Sequence, residues 1–465
     1  MQLISFVYGL LWGDLFSIPL PNGESIGISL LLILLVPAGI YFSIRTKFMP
    51  IRMFPEMLRI SVEKRTGEKT GLSGLQALIV STATRVGMGN MVGVVAAVSV
   101  GGAGAVFWMW VMALLGSSTA FIEATLAQLH KQKDPLYGGY RGGPAYYIHD
   151  KFSKGKKFSI MAVLFALSGL LCWCGISQVI SNSVTSAFDN AFGIPPLAST
   201  IFLVILAAIV VLRKNATVKV LDVMVPIMAI FYFIIAILVI IMNIEHVPAM
   251  FQRIFEEAFG LRQVAGGGIG AALLNGVKRG LFSNEAGSGS APCAAAAADV
   301  NHPAKAGIFQ AFGVIIDTII ICSCTAFIML LVPENVLAGL EGMELLQTAM
   351  YYHFGQAGVV FVAITLWLFS FSTFVGVLFY ARSNVAYLFG DNWKTQTAYK
   401  VLALVMLFIG GLATYTFVWD LGDIGIGLMT IFNIIALYAM GGDALAALKD
   451  YEKLKKERKA QKKNA

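Results

Sequence analysis

Long uninterrupted apolar runs fill most of this chain, and short polar connections separate them. The runs at residues 30–35 and 201–211 contain no charge, whereas a transmembrane β-barrel would alternate apolar and polar positions in segments of about ten residues. A helix needs about 20 apolar residues to cross a bilayer, so the pattern predicts about eleven transmembrane helices. We place them near residues 26–44, 72–98, 104–129, 158–188, 197–212, 223–243, 266–298, 306–331, 357–381, 401–418 and 424–442. The predicted fold class is an all-α membrane protein.

Composition and charge support this class and predict a topology. The chain is 57% apolar and 13% charged, with a mean hydropathy of +0.76. Lysines and arginines number seven within residues 45–69, none between the second and third predicted helices, seven within 131–157 and eight within 443–465. Because basic connections stay cytoplasmic, we expect the N-terminus outside and the C-terminus inside the cell inner membrane. This topology accounts for the net charge of +8, so the lipid bilayer is the expected partner and nucleic acid is not.

Setting the first helix aside leaves two groups of five helices. Residues 1–71 are expected to hold a peripheral first helix and a cytoplasmic connection, followed by repeats at 72–247 and 248–442. Residues 443–465 are expected to form a basic cytoplasmic tail. After an odd number of crossings the second group starts on the opposite side of the membrane. The groups are therefore predicted to form an inverted pair.

Each group opens with a glycine-broken segment that carries a cation. Arg85 lies in the run 83–90, and Lys278 and Arg279 precede the run 281–289. A cation at bilayer depth costs roughly 2.5–3.5 kcal/mol on insertion scales and therefore indicates a polar interior pathway. Close packing of small residues would explain the glycines but not the charges. Two interrupted helices in matching halves favour a secondary transporter.

Several longer motifs resemble a known family, the alanine or glycine:cation symporters, also called sodium:alanine symporters. The matching runs are Arg85–Asn90, Gly104–Trp110, Tyr140–Ile148 and Arg279–Gly287, extended by His302-Pro303 and Ile316–Thr318. The resemblance implies a LeuT-like 5+5 inverted repeat behind one peripheral N-terminal helix. It also implies sodium-driven import of a small neutral amino acid, alanine or glycine, by alternating access. No enzyme activity is expected, because no His lies within a predicted helix and the sequence contains no Gly-x-Ser-x-Gly run.

An amino-acid zwitterion needs donors for its carboxylate and acceptors for its ammonium group. The half-helix that starts near Asn90 would offer free N–H groups, and the one that ends near residues 280–283 would offer free carbonyls. The resemblance adds polar positions on the fourth helix, where Gln178 could equally be an interhelical hydrogen-bond donor. The candidate substrate-binding residues flank the breaks or lie on the fourth and ninth helices: Thr84, Gly87, Met88, Gly89, Asn90, Gln178, Asn182, Ser283, Asn284, Gly287 and Val377. Met88, Ile180 and Val377 replace polar or larger residues common in the family, which predicts a more apolar pocket.

The ninth helix carries a candidate cation site. Ser372 and Thr373 place adjacent hydroxyls after the carbonyl of Phe369. The resemblance puts sodium there, together with the carbonyls of Ala83 and Val86. Taken alone, the two hydroxyls could instead bond back to their own helix. No cofactor other than the coupling ion is expected.

Six buried charges are expected within the helices. They form a candidate gating or charge network of three acids and three bases: Glu123, Glu285, Asp317, Arg85, Lys278 and Arg279. Unpaired buried charges are costly, so one hypothesis is a neutral network that holds the repeats together or gates the pathway. The alternative is that Glu285 or Asp317 carries a coupling proton. The sequence leaves the pairing of acids and bases open.

The sequence alone leaves several alternative functions open. Glutamine or serine as the main substrate, and proton coupling, fit the same fold. An ion channel is the alternative of another class, although the sequence contains no Thr-Val-Gly-Tyr-Gly filter run.

Overall fold

The computed structural model describes residues 2–19, 25–61, 85–213, 217–262 and 268–464, and these residues are mostly helical. The N-terminal elements are α1 (Gln2–Trp12), the antiparallel strands β1 (Asp14–Pro19) and β2 (Ser25–Ser29), α2 (Leu30–Arg45), α3 (Met49–Arg52) and α4 (Phe54–Ser61). The Ser29 hydroxyl accepts a hydrogen bond from Leu32 N at 3.2 Å and caps α2. The first apolar run, predicted as helix from residue 26, therefore begins as strand.

The first half continues beyond the first glycine-broken segment. A π-helical turn (Gly89–Gly93) leads into α5 (Val94–Gly101), followed by α6 (Gly104–Leu129), the short strands β3 (Gln132–Lys133) and β4 (Tyr140–Arg141), α7 (Pro144–Phe152), α8 (Ile160–Phe192), α9 (Pro196–Val211) and α10 (Thr217–Met242). The bounds of α6 agree with the predicted third helix.

The second half starts with a sharp bend. A 3₁₀ turn (Ile244–His246) joins α10 to α11 (Val247–Ala258), and residues 226–242 and 244–258 meet at 80°. The remaining helices are α12 (Gly268–Asn284), α13 (Pro292–Ala297), α14 (Pro303–Val314), a π-helical turn (Ile315–Cys322), α15 (Ser323–Leu330), α16 (Glu334–Leu337), α17 (Gly342–Phe354), α18 (Gln356–Phe389), α19 (Trp393–Gly410) and α20 (Tyr415–Asn464).

Several of these helices are suited to a bilayer. Within the described residues, five are long and apolar enough to cross a membrane: Gly104–Leu129, Ile160–Phe192, Pro303–Leu330, Gln356–Phe389 and Tyr415–Arg458. The bent pair at residues 226–258 makes a sixth if counted as one span, and shorter apolar helices lie at Leu30–Arg45, Gly89–Gly101 and Pro196–Val211. The protein is therefore a multi-pass helical membrane protein.

The end of the chain differs from expectation. The predicted helices at 401–418 and 424–442 are shifted, because α19 ends at Gly410 and α20 already begins at Tyr415. Residues 420–423, expected in a connection, thus lie inside α20. This helix also continues unbroken into the predicted basic tail, where Tyr451 is buried and its hydroxyl donates to Glu56 Oε1 on α4 at 2.7 Å. At least the first part of the tail therefore packs against α4 and is not fully surrounded by solvent.

Candidate functional site

The first break lies between Arg85 and the π-helical turn. Gly87 N donates to Arg85 O at 2.8 Å and to the side-chain oxygen of Asn90 at 2.9 Å, and neither is the bond of a regular α-helix. The backbone polar groups are thus partly satisfied by a side chain, as an interrupted helix in a protein interior requires. Two of the predicted site residues, Ala83 and Thr84, lie outside the described residues.

The second break separates α12 from α13. Glu285 (φ +57°), Gly287 (φ +91°) and Gly289 (φ +88°) occupy the left-handed region, which glycine adopts readily and glutamate does not. Asn284 Oδ1 accepts from Ala286 N at 3.0 Å, and Ser288 Oγ donates to Glu285 O at 2.8 Å. Backbone strain of this kind is concentrated at functional sites.

The two breaks lie against each other. A Cβ atom built on Gly89 would be 3.3 Å from Ser283 Cα and 3.6 Å from Phe282 O. Only a glycine therefore permits this approach without a shift of the opposite backbone. Gly89, Asn90 and Ser283 are all buried. The contact between the two glycine-broken segments therefore lies inside the protein.

Asp317 joins the two breaks. Its Oδ1 accepts from Asn90 Nδ2 at 2.8 Å, and its Oδ2 accepts from Ser283 Oγ at 2.9 Å and Thr318 Oγ1 at 2.8 Å. Asn284 Nδ2 in turn donates to Thr318 Oγ1 at 3.2 Å. The carboxylate is fully buried on a π-helical turn, a local distortion frequent at functional sites. Neutral hydrogen-bond donors from both breaks thus surround it.

The candidate cation site also reaches the first break. Phe369 O accepts from Ser372 Oγ at 2.8 Å and from Thr373 Oγ1 at 2.9 Å, which is the back-bonding that the sequence left open. Thr373 Oγ1 additionally accepts from Met88 N at 3.2 Å. Hydroxyl and carbonyl oxygens are the hard ligands that an alkali cation takes. Val86 is buried in the first break, and the described residues contain no cluster of three His, Cys, Asp or Glu side chains suited to a metal.

Two predicted substrate residues on α8 hydrogen-bond elsewhere. Gln178 Nε2 donates to Met406 Sδ at 3.2 Å, and Asn182 Nδ2 donates to Gly410 O at 3.3 Å and Ala413 O at 2.8 Å. Both amides therefore connect α8 to α19 and to the turn that follows α19. For Gln178 this agrees with the alternative role of an interhelical hydrogen-bond donor. Val377 is buried on α18, one turn beyond Thr373.

The cations of α12 pair with an acid that the sequence analysis did not single out. Lys278 Nζ lies 2.6 Å from Asp423 Oδ2, and the guanidinium of Arg279 contacts both carboxylate oxygens at 3.1 and 3.0 Å. Arg279 also stacks 4.0 Å above the Trp419 ring, and Trp12 Nε1 donates to Asp423 O at 3.0 Å. The predicted helix bounds placed Asp423 in a connection, so it was not considered as a buried acid. The buried pair Lys278 and Arg279 was the available signal, because two buried cations require an acid nearby.

The remaining buried charges do not complete the single predicted network. Arg85 Nη1 donates to Gln310 Oε1 at 2.9 Å, and the guanidinium forms no ion pair within the described part of the chain. Glu123 accepts from Gly287 N at 3.2 Å and from Asn433 Nδ2 at 2.8 Å. Glu285 accepts from Tyr380 OH at 3.2 Å. Lys278 and Arg279 of the expected six-charge network therefore pair with Asp423 instead, whereas Arg85 donates to Gln310 and the three expected acids accept hydrogen bonds from neutral donors.

The comparisons with known proteins fit this geometry. The family model described as the sodium:alanine symporter family matches residues 21–465. The chain belongs to this family. Its relatives include the probable sodium/glutamine symporter GlnT of Bacillus subtilis, 41% identical over 430 residues, with 92% of this chain and 88% of GlnT covered. The sodium/alanine symporter AgcS of Methanococcus maripaludis is 34% identical over 432 residues, covering 92% of this chain and 95% of AgcS.

The fold of this chain is also similar to that of solved LeuT-like structures. The crystal structure of MhsT in complex with L-phenylalanine matches with a TM-score of 0.57 at 14% identity, covering 82% of this chain and 93% of MhsT. At this identity the likeness concerns the fold alone. The resemblance read from the motifs is thus confirmed, and the protein is a transporter-family member.

Proposed function

We propose that the protein is a sodium-coupled symporter that imports a small neutral amino acid, alanine or glycine, by alternating access. The observation that carries the proposal is the contact of both backbone breaks around Asp317. Unwound main chain deep in a helical membrane protein is tolerated only where it lines a cavity or is otherwise satisfied. In transporters built on this plan, such breaks hold the substrate near the bilayer midplane.

The substrate is proposed to bind through main-chain groups. The N–H groups at the start of the π-helical turn (Gly89–Gly93) would receive the carboxylate, because a helix N-terminus attracts negative charge. Carbonyls at the end of α12, near Ser283, would receive the ammonium group. Apolar neighbours such as Met88 and Val377 favour a short aliphatic side chain, and Thr84 and Gly287 complete this proposed pocket.

Sodium is proposed to bind the oxygens of Phe369, Ser372 and Thr373, with the carbonyls of Val86 and Ala83. The hydrogen bond from Met88 N to Thr373 Oγ1 supports coupling, because a cation at Thr373 would compete for that oxygen and act on the first break. Each sodium that enters with a net-neutral amino acid gains roughly 2.3 kcal/mol per 100 mV of membrane potential. One cation therefore suffices to drive accumulation.

Alternating access requires gates on both sides of the breaks. We assign one gate to the Lys278–Arg279–Asp423 cluster, which joins α12 to α20 on one side of the second break. The other gate would involve Glu123 and Asn433, which hold Gly287 of the second break. Both clusters link different helices through bonds that can be broken and reformed, which is what a gate needs.

The topology belongs to the same proposal. Residues 72–247 and 248–442 would form the inverted repeats behind a peripheral segment at 1–71. The N-terminus would lie outside and the tail at 443–465 in the cytoplasm of a bacterial or archaeal cell. The alternation of basic connections supports this orientation.

Glutamine is the second candidate substrate, because a relative named as a probable sodium/glutamine symporter is 41% identical to this chain. Serine and proton coupling at Asp317 or Glu285 are further variants of the same mechanism. A channel is not favoured.

Uptake into proteoliposomes tests the proposal. Labelled alanine should accumulate when a sodium gradient points inward and not when potassium replaces sodium. Counterflow with alanine, glycine, serine and glutamine ranks the substrates, and lithium or a proton gradient in place of sodium identifies the coupling ion. Amino-acid flux that ignores every cation gradient, or ion flux without any amino acid, would overturn the proposal.

A further inference from the structure

A crevice separate from the breaks opens on the surface of the helical bundle. It has a volume of about 570 Å³ and lies where α8, α19 and the end of α18 meet α20. Its lining residues are Leu170, Leu171, Cys174, Phe389, Thr395, Ala398, Tyr399, Leu402, Met406 and Leu421. Phe389 is 58% exposed and Leu402 is 42% exposed, so the crevice is open along its outer side.

The walls of this crevice suit an apolar occupant. Most of the lining side chains are hydrocarbon, and the Tyr399 hydroxyl is already engaged, since it donates to Leu170 O at 2.9 Å. Cys174 Sγ lies 3.9 Å from the same hydroxyl. Such a surface cannot satisfy a zwitterion, which needs paired donors and acceptors. The amino-acid substrate is therefore excluded as its ligand.

The helix α19, which forms one wall of the crevice, carries two lysines. Lys394 directly precedes Thr395, and Lys400 directly follows Tyr399, both of which line the crevice. The connection that leads into α8 adds three exposed lysines, Lys154, Lys156 and Lys157. Asp391, the acid that precedes α19, is paired with Arg141. Lys394 and Lys400 thus give this wall of the crevice a positive charge.

We propose that the crevice is a binding site for an anionic phospholipid, with one acyl chain along α8 and α19 and the phosphate near Lys394 and Lys400. The bilayer is the fluid in contact with this part of the molecule, and clusters of lysines beside membrane helices attract anionic headgroups. Apolar walls beside the two lysines of α19 match the two parts of such a lipid.

The bound chain would also contact the junction between α8 and α19. Met406 lines the crevice and accepts the hydrogen bond from Gln178 Nε2 on α8. Gln178 Oε1 has no hydrogen-bond partner in the described part of the chain. An occupant against Met406 therefore fixes the contact between α8 and α19. Lipid binding itself is independent of the proposed transport function.

Native mass spectrometry of the delipidated full chain tests the site. Dioleoylphosphatidylglycerol is expected to bind about fivefold more strongly than dioleoylphosphatidylcholine, the effect of about one lysine near an anionic headgroup. Leu402→Trp fills the crevice and should weaken phosphatidylglycerol binding about tenfold by excluding a few methylene groups. Val405→Trp, an exposed position of α19 outside the lining, is the matched control and should bind as the wild type does.

A second variant separates the two parts of the lipid. Lys394→Gln combined with Lys400→Gln should abolish the preference for phosphatidylglycerol while phosphatidylcholine still binds. Fluorescence-detected unfolding of each variant verifies that it is folded. Equal binding of the two lipids by the wild type, or unchanged phosphatidylglycerol binding by a folded Leu402→Trp variant, would overturn the proposal.

Discussion

Asn90 of the first break donates its side-chain N–H to Asp317 Oδ1 at 2.8 Å, and both residues are fully buried. The same carboxylate accepts from Ser283 of the second break. A single side chain therefore connects the two interrupted segments. Any movement of one break relative to the other must change this set of hydrogen bonds.

Replacing Asp317 by Asn should reduce uptake at least about tenfold, because an amide cannot accept from all three donors and one buried partner is left unsatisfied at a cost of about 1–3 kcal/mol. Asp134→Asn is the matched control and should retain uptake, because Asp134 is also a buried acid that accepts from neutral donors, Leu136 N and Tyr137 N, but lies away from the breaks in a connection. Initial rates of alanine uptake at several sodium concentrations and pH values provide the measurement. Sodium-driven uptake that persists but loses its pH dependence would instead assign the coupling proton to Asp317.

Gly89→Ala should abolish transport. Its Cβ would meet the Ser283 backbone at 3.3 Å, which is closer than a backbone neighbour accommodates without moving. The matched control is Gly93→Ala, whose Cβ would lie 3.8 Å from Phe282 Cδ1, an ordinary contact. Substrate affinity measured by the thermal stabilisation that alanine gives should fall only for the first variant. Equal transport activity of the Gly89→Ala and Gly93→Ala variants would show that transport does not need the close approach of Gly89 to Ser283.

Thr373→Ala should raise the sodium concentration for half-maximal uptake by about tenfold, as expected for the loss of one ligand worth about 1.4 kcal/mol. Thr125→Ala is matched, because that hydroxyl is also buried and bonded back to its own helix, donating to Phe121 O at 2.7 Å. Sodium titrations of uptake distinguish the two. An unchanged sodium requirement in the Thr373 variant would remove this residue from the cation site.

The sequence alone was sufficient to predict where two helices are interrupted. It was not sufficient to predict which buried charges pair. Glycines beside Arg85 or Arg279 signal an interrupted helix, because glycine lets the backbone leave helical geometry and a cation is costly in lipid. The partner of Arg279, in contrast, is Asp423, more than 140 positions away, and no local pattern encodes that contact. Gln178 illustrates a similar limit, since only the packing of α8 against α19 decides which side its amide faces.

Asp423→Asn should lower the free energy of unfolding by roughly 3 kcal/mol, because two buried cations would lose their counter-ion. Asp391→Asn provides the comparison, since it removes a more exposed ion pair with Arg141 and should cost less than about 1 kcal/mol. Thermal unfolding of both variants in the same detergent measures the difference. Similar midpoints for the two would contradict the buried pairing of Lys278 and Arg279 with Asp423.

The contact between α4 and the C-terminal part of α20 should depend on pH. Burial raises the pKa of Glu56, but hydrogen bonds from Arg59, Tyr451 and Lys455 outweigh it and lower the pKa to about 2 from an ordinary value of 4.5. The ionised carboxylate therefore stabilises the fold above about pH 4.5, and this contribution disappears as the pH falls towards 2. Glu56→Gln should lower the unfolding midpoint at pH 7 and have little effect near pH 2, whereas a pH-independent difference would contradict the ionised contact.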